Sequence, residues 1–264
     1  MRLFNHWKLT AKVLPVVGLA LFLKFAVHAL ELEVLELSAL FSGMLGAAVF
    51  LLGFMIAGTL GDYKESERLP SELAASLHSI ADECKIVSAS NNGTKSAKAA
   101  YKSLEEIANE SLGWLRNNTT TELVLRKIEN LSASLVKIEP YTQATYISRV
   151  KGEQNQLRKI ILRMQTIRDT SFIGTGYAIA ELSTFLLLIG LIFTKNQPFP
   201  ESVFFIGSMT LILTYMIALI TELDNPFNYS GESDGCEVPL VPLENFLLRV
   251  SASNNVKRKI SEAK

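Results

Sequence analysis

The stretch "VFLLGFMIAGTLGDYKESERLP", residues Val49–Pro70, joins a strongly apolar segment to a strongly charged one. Its first half has the composition of a membrane-spanning helix, whereas five of the seven residues from Asp62 to Arg68 carry charge. No clear turn separates the two halves. The stretch therefore predicts one continuous helix that crosses a bilayer and continues into water.

Small residues and two phenylalanines share one face of this helix. On a helical wheel, one broad stripe contains Gly43, Gly46, Ala47, Phe50, Phe54, Ala57, Gly58 and Gly61. Such a stripe lets backbones approach closely, so one interpretation is a helix-packing face. In the other interpretation, copies of the helix surround an axis, and Phe50 and Phe54 form a hydrophobic pore neck that gates by dewetting. The residues that would line such a pore are Gly43, Gly46, Ala47, Ala57 and Gly58.

Outside this helix, the chain alternates between apolar and charged regions. The apolar runs that approach the roughly 20 residues needed to cross a bilayer are Val13–Leu30, Leu37–Leu60, Phe172–Thr194 and Val203–Leu223. Nearly all the charge lies between residues 61 and 170 and in the last forty residues. This segregation is typical of an integral membrane protein.

The charged middle block has helical periodicity. Apolar positions recur at spacings of three and four residues, as at Leu73, Leu77 and Ile80. The predicted helices of the block lie near residues 66–90, 94–116, 121–138 and 141–169. The fold class is therefore all-α, a polytopic membrane protein with four transmembrane helices and a helical cytosolic bundle. The expected domains are 1–60 (arm and first two spans), 61–170 (cytosolic helices), 171–223 (last two spans) and 224–264 (cytosolic tail).

Basic residues near the spans predict the orientation. The N-terminal arm carries Arg2, Lys8 and Lys12, whereas the Glu31–Glu36 connection has no basic residue. Because basic residues are enriched in cytoplasmic loops, both termini and residues 61–170 are expected on the cytoplasmic side of the cell membrane. The inverted alternative makes residues 61–170 an extracellular domain that carries glycans.

Composition and motifs argue against several function classes. The chain has 26 basic and 26 acidic residues and so no electrostatic footprint for nucleic acid. No nucleophile motif, phosphate loop or metal-binding repeat occurs, and "GTGYA" at Gly174–Ala178 lacks the spacing of a nucleotide loop. We therefore expect no enzymatic activity, no cofactor and no metal site. Cys84 and Cys236 are interpreted as ordinary thiols.

Ionisable residues inside the apolar runs form a candidate intramembrane charge site. Lys24 and His28 are four residues apart on the first run, hence on one face, and Glu181 lies in the third. A charge at membrane depth usually has a partner or a water-filled cavity. In the alternative, purely structural interpretations, the Lys24 side chain extends to the membrane–water interface or forms an ion pair with Glu181.

Two separated stretches resemble one family, the bestrophins, which are pentameric anion channels with four transmembrane helices per subunit. The first is "FLLGF" (Phe50–Phe54) followed by "ERLP" (Glu67–Pro70), and the second is "LDNPFNYSGESDG" after the last span. The resemblance implies a homopentamer that conducts inorganic anions such as chloride through a neck of Phe50 and Phe54. It also implies a structural post-membrane turn at Asn225, Pro226 and Phe227.

The preferred prediction is an oligomeric anion channel, which we expect to be a pentamer. Its expected partners are further copies of the chain, the lipid bilayer and inorganic anions. The alternative is a membrane-anchored helical sensor or scaffold protein without conduction. In that case, the stripe on the second span serves only for packing.

Overall fold

The computed structural model describes residues 7–89, 94–170, 174–229 and 236–262. Within them the regular secondary structure is helical apart from two strands of two residues each. The elements in chain order are α1 (Lys8–Ala29), β1 (Leu35–Glu36), α2 (Ala39–Ala89), α3 (Thr94–Leu115), α4 (Thr121–Val136), a 3-10 turn (Glu139–Tyr141), α5 (Ala144–Asp169), α6 (Gly174–Phe193), β2 (Thr194–Lys195), α7 (Phe199–Asp224) and α8 (Val241–Glu262).

The stretch Val49–Pro70 lies entirely within α2. This helix runs for 51 residues without interruption and contains Pro70 in its interior. At 1.5 Å per residue it is roughly 75 Å long, more than twice the hydrocarbon thickness of a bilayer. The prediction of one continuous helix that leaves the apolar region carrying charge is confirmed.

In the described part of the chain, four helices are long and apolar enough to cross a membrane: α1, α2, α7 and the helix that ends at Phe193. Phe172, the predicted start of the third span, lies outside the described residues. The last span begins earlier than predicted, because Pro198 is the N-cap of α7 and Pro200 stands in its first turn. A proline there breaks no hydrogen bond, since the first N–H groups of a helix have no intrahelical partner.

The chain divides into two compact units, with boundaries after Tyr63 and before Thr170. In the first unit, α1 packs on α6 and α7, which also pack on each other. The buried face of α2 joins their core, which contains Ala48, Leu52, Met55, Ala180, Leu187, Leu213 and Ile220. The strands β1 and β2 pair in parallel, with Leu35 opposite Thr194 and Glu36 opposite Lys195.

Gly190 allows one close contact in this core. A Cβ atom at Gly190 would lie 2.6 Å from Cε2 of Phe41, closer than real Cβ contacts. We expect Gly190→Ala to lower the free energy of unfolding by about 1–3 kcal/mol through overpacking. Gly18→Ala is the matched control, since a Cβ there meets nothing within 4 Å. Thermal unfolding in detergent measures both, and equal melting temperatures for the two variants would contradict the prediction.

The second unit contains the part of α2 from Lys64 onward, with α3, α4, α5 and α8. The helical character predicted for the middle block is confirmed, and its boundaries fall within a few residues of those expected. Each helix turns its apolar stripe inward; the fully buried residues include Leu73, Leu77, Leu104, Ile128 and Leu157. The helix α8 in the C-terminal segment was not predicted.

Candidate functional site: the exposed face of α2 and the Lys24 cluster

The membrane part of α2 has one packed face and one open face. Leu52 and Met55 are 0% and 2% exposed and pack in the core of the first unit. Phe50 and Phe54 are 77% and 67% exposed. One helical turn separates the two phenylalanines, so both rings project from the same open face.

The small residues of the stripe lie on this open face as well. Gly43, Gly46, Ala47, Ala57 and Gly61 are exposed, and Gly58 is half-buried. At Gly43 and Gly46 an added Cβ would meet no atom within 4 Å. Among the described residues, the stripe therefore does not serve as a packing face within one chain.

The open face of α2 differs in composition from the outer faces of the other spans. Those faces carry large apolar side chains; examples are Leu19 and Phe22 on α1, Phe185 and Leu186 on α6, and Phe204 and Phe205 on α7. Large apolar side chains suit contact with lipid tails. Glycine and alanine instead expose backbone, which suits another helix or a cavity.

The stripe continues past the apolar segment into charged residues. Lys64 lies seven residues, close to two turns, after Ala57, and Arg68 lies seven after Gly61. Both side chains are exposed. Arg68 Nε lies 2.8 Å from Glu72 Oε1, so that charge is partly offset along the same helix. Lys64 thus lies at the edge of the stripe that contains Gly46 and Ala57, and the exposed Asp62 precedes it beside the opposite edge.

Lys24 on α1 is fully buried at the end of the first span. Its Nζ donates hydrogen bonds to Glu33 Oε1 at 2.6 Å, to the Thr194 carbonyl at 2.6 Å and to the Ile192 carbonyl at 3.3 Å. An ammonium group has three donors, and all three are used. The last carbonyls of a helix lack intrahelical partners, so Lys24 also caps the C-terminal end of α6.

His28 and Glu33 complete the Lys24 cluster. His28 Nδ1 lies 3.2 Å from the same Glu33 Oε1, and its ring stacks on Phe199 with the centroids 3.9 Å apart. Glu33 reaches back because α1 ends in a Schellman turn. The Leu32 and Glu31 N–H groups donate to the Val27 and His28 carbonyls, and Glu31 takes the left-handed φ of 54° that this turn requires.

The Lys24 cluster predicts a pH dependence. Burial raises the pKa of Glu33, but the hydrogen bonds from Lys24 and His28 outweigh it and hold the pKa below its ordinary value of 4.5. A carboxyl with a depressed pKa stabilises the fold above the unfolded-state value and loses this contribution as pH falls through the folded-state value. Below pH 4.5 we expect the melting temperature of the native chain to fall faster than that of Glu33→Gln. If the melting temperatures of the two proteins fell in parallel with pH, the stabilising role of the Glu33 carboxylate would be contradicted.

The structural pair suggested between Lys24 and Glu181 is not formed among the described residues. Lys24 pairs with Glu33 instead, and Glu181 lies exposed on α6. The Lys24 cluster therefore ties α1, the following connection and the end of α6 together. Sequence reasoning missed Glu33, although the acidic run Glu31–Glu36 directly after a lysine-bearing span was an available signal.

The last span ends just before the residues Asn225, Pro226 and Phe227. The helix α7 stops at Asp224, with Asn225 as its C-cap. Pro226 is buried, and Phe227 is buried as well. Residues 230–235 of the quoted stretch "LDNPFNYSGESDG" lie outside the described residues.

The described part of the chain contains no cluster of metal-binding side chains, and its buried cysteine is not a reactive thiol. No group of three His, Cys, Asp or Glu side chains lies close enough together there to hold a metal ion. Cys84 is a buried free thiol, and burial raises its pKa to about 11, which keeps it protonated at neutral pH.

Comparison with known proteins bears on the fold. No protein-family model and no curated protein matches the sequence. Solved structures of a bacterial bestrophin homologue from Klebsiella pneumoniae, each carrying one substitution, do match. One has 13% identity, a TM-score of 0.78 and coverage of 91% of this chain and 99% of that chain. A second has 13% identity, a TM-score of 0.76 and coverage of 92% and 98%.

A further crystal structure, described as that of a membrane protein, has 12% identity and a TM-score of 0.79, with 91% of this chain and 99% of that chain covered. The chain therefore has a bestrophin-like fold with four candidate membrane-spanning helices, as the resemblance implied.

Proposed function

We propose that this chain forms a homopentameric anion channel whose pore is lined by one α2 helix from each subunit. The observation that carries the proposal is the open face of α2. It presents Phe50 and Phe54 among glycines and alanines, and within the described residues no other part of the chain covers it. The bestrophin-like fold supports the proposal, because the bestrophins that the sequence resembles are pentameric anion channels.

The neck acts through hydrophobicity. Five copies of Phe50 and of Phe54 form two rings that narrow the axis and disfavour continuous water. The ring edges carry weak positive charge, so a passing anion meets a mildly favourable electrostatic surface rather than a tight binding site. Gly43, Gly46 and Ala47 widen the path above the neck, and Ala57 and Gly58 widen it below.

The remaining spans provide the membrane boundary. The large apolar side chains on the outer faces of α1, α6 and α7 contact lipid. The basic N-terminal arm and the acidic Glu31–Glu36 connection orient the chain with both termini and residues 61–170 in the cytoplasm. The channel needs no catalytic group and no cofactor for passive conduction of chloride.

Lys64 sets the preference for anions in this proposal. It lies ten residues after Phe54, at the edge of the same stripe, about 15 Å along the helix axis. Five copies form a ring of positive charge near the exit of the neck. That distance exceeds the Debye length of about 10 Å at 0.1 M salt, so the ring acts by enriching anions at the exit rather than inside the neck, and added salt weakens the effect.

We expect Lys64→Glu to lower the chloride-to-potassium permeability ratio by about threefold or more, because it replaces a positive ring with a negative one. Reversal potentials in asymmetric potassium chloride measure this ratio in planar bilayers. Lys64→Arg keeps the charge and should keep the ratio. Glu67→Gln changes an exposed charge on another face of the same helix and serves as the control. An unchanged chloride-to-potassium permeability ratio in Lys64→Glu would show that Lys64 does not line the pore.

The proposal is tested by measuring chloride flux through the reconstituted protein and the mass of the detergent-solubilised particle. The purified chain in liposomes should pass chloride down a gradient. Five subunits of 29.2 kDa should give a particle of about 146 kDa plus detergent. A folded monomer or dimer that passes no chloride would favour the scaffold function over the channel.

A further inference from the structure

A polar cavity of about 570 Å³ lies in the second unit, outside the α2 face assigned to the pore. Its lining comes from α2, α3 and α8: His78, Asp82, Lys85, Tyr101, Arg249 and Val250. The volume is within the range of small-molecule sites, which run from about 300 to 1,000 Å³.

Positive charge is in excess at this cavity. Lys85 and Arg249 are cationic, whereas Asp82 is the one acidic group in the lining and is already engaged, 2.9 Å from Lys85 Nζ. Among the residues whose side chains are described, no carboxylate forms an ion pair with Arg249. Its charge therefore faces the cavity region without a counter-ion from the described chain.

The neighbouring groups respond to the Arg249 charge. Burial lowers the pKa of His78, and the Arg249 charge lowers it further. The same charge opposes the rise that the Asp82 hydrogen bond causes in the pKa of Lys85. The ring of His78 is held edge-on against Phe246, with the centroids 4.9 Å apart. Lys85 and Arg249 line the same cavity, so one ligand in the cavity can contact both cations.

We infer that this cavity binds a small soluble anion that carries phosphate. A guanidinium binds phosphate oxygens through two parallel N–H donors, and an ammonium adds a mobile positive charge. Arg249 and Lys85 supply these groups, and the Tyr101 hydroxyl adds a neutral donor at the same wall. Asp82 competes with the ligand for Lys85 and repels it, which limits the affinity.

Titration calorimetry with inorganic pyrophosphate on the detergent-solubilised full chain tests this site at low ionic strength. We expect saturable binding to one site per chain. Arg249→Gln should weaken it at least about tenfold, since it removes the unpaired cation. Asp82→Asn should tighten binding, because it removes the competing carboxylate; a variant that merely damaged the fold would not bind more tightly.

Lys102→Gln provides the matched control, since Lys102 is an exposed lysine of α3 outside the cavity lining. Equal weakening in Lys102→Gln and Arg249→Gln would overturn the site in favour of general charge attraction, and so would absence of saturable binding. A parallel titration with dihexanoyl phosphatidic acid distinguishes the source of the phosphate. Tighter binding of this lipid than of pyrophosphate would overturn the assignment to a soluble anion.

Discussion

Replacing Phe50 and Phe54 together by alanine is expected to raise chloride flux through the reconstituted protein about tenfold, the change produced by a barrier ~1.4 kcal/mol lower. Both rings project from the open face of α2, and their loss would leave only glycine and alanine on the stripe from Gly43 to Gly61. A wider, less apolar neck stays wet, so ions no longer meet a dewetted gap.

Liposome flux assays compare the native chain with the double variant and with Phe204→Ala. Phe204 is the matched control because it is 67% exposed, as Phe54 is, but lies on α7. Its replacement should leave flux unchanged, since it faces lipid in the proposed assembly. Equal increases in both variants would mean that alanine disturbs the membrane spans in general. Absence of flux in every form, with oligomers intact, would identify the phenylalanines as packing residues between subunits.

Replacing Lys24 by methionine is expected to cost about 3–5 kcal/mol of unfolding free energy, the range for breaking one side of a buried ion pair. The substitution would leave the Glu33 carboxylate nearly buried without its cation. It would also leave the carbonyls of Ile192 and Thr194 without their described donor. Thermal unfolding of the detergent-solubilised chain measures the loss.

Two variants make this experiment specific. Lys24→Met combined with Glu33→Leu removes both charges and should recover part of the lost stability, because no uncompensated charge stays buried. Lys12→Met breaks a more exposed pair on the same helix, with Glu222 at 3.5 Å, and should cost below about 1 kcal/mol. Similar losses for Lys24→Met and Lys12→Met would contradict the structural role of the Lys24 cluster.

Local signals predicted most of the helices. The apolar length of each span and the spacing of Leu73, Leu77 and Ile80 depend on neighbours within a few turns, which a sequence displays directly. The same holds for the continuity of α2, since nothing near Gly61 ends a helix. The helix α8 escaped prediction because its mixed composition gives no comparable signal in the C-terminal segment.

The candidate sites were predictable to different extents. The stripe with Phe50 and Phe54 follows from helical periodicity alone, as does the shared face of Lys24 and His28. The partner of Lys24 did not follow, since it depends on the Schellman turn at Glu31 that returns Glu33 to the helix end. The acidic run Glu31–Glu36 was an available signal, but it does not show which of its carboxylates the turn brings to Lys24.

By itself the sequence determined most of the helical segments, which segments can cross a membrane and which residues share a face of α2, because helix period and apolar length are local properties. Only the tertiary structure decided that the stripe lies open while Leu52 and Met55 are covered. Only it joined Lys24 to carbonyls 168 and 170 residues away. Which face of α2 is covered and which groups pair with Lys24 depend on how helices distant in sequence pack together. That packing results from many contacts between segments, and no short stretch of sequence contains them.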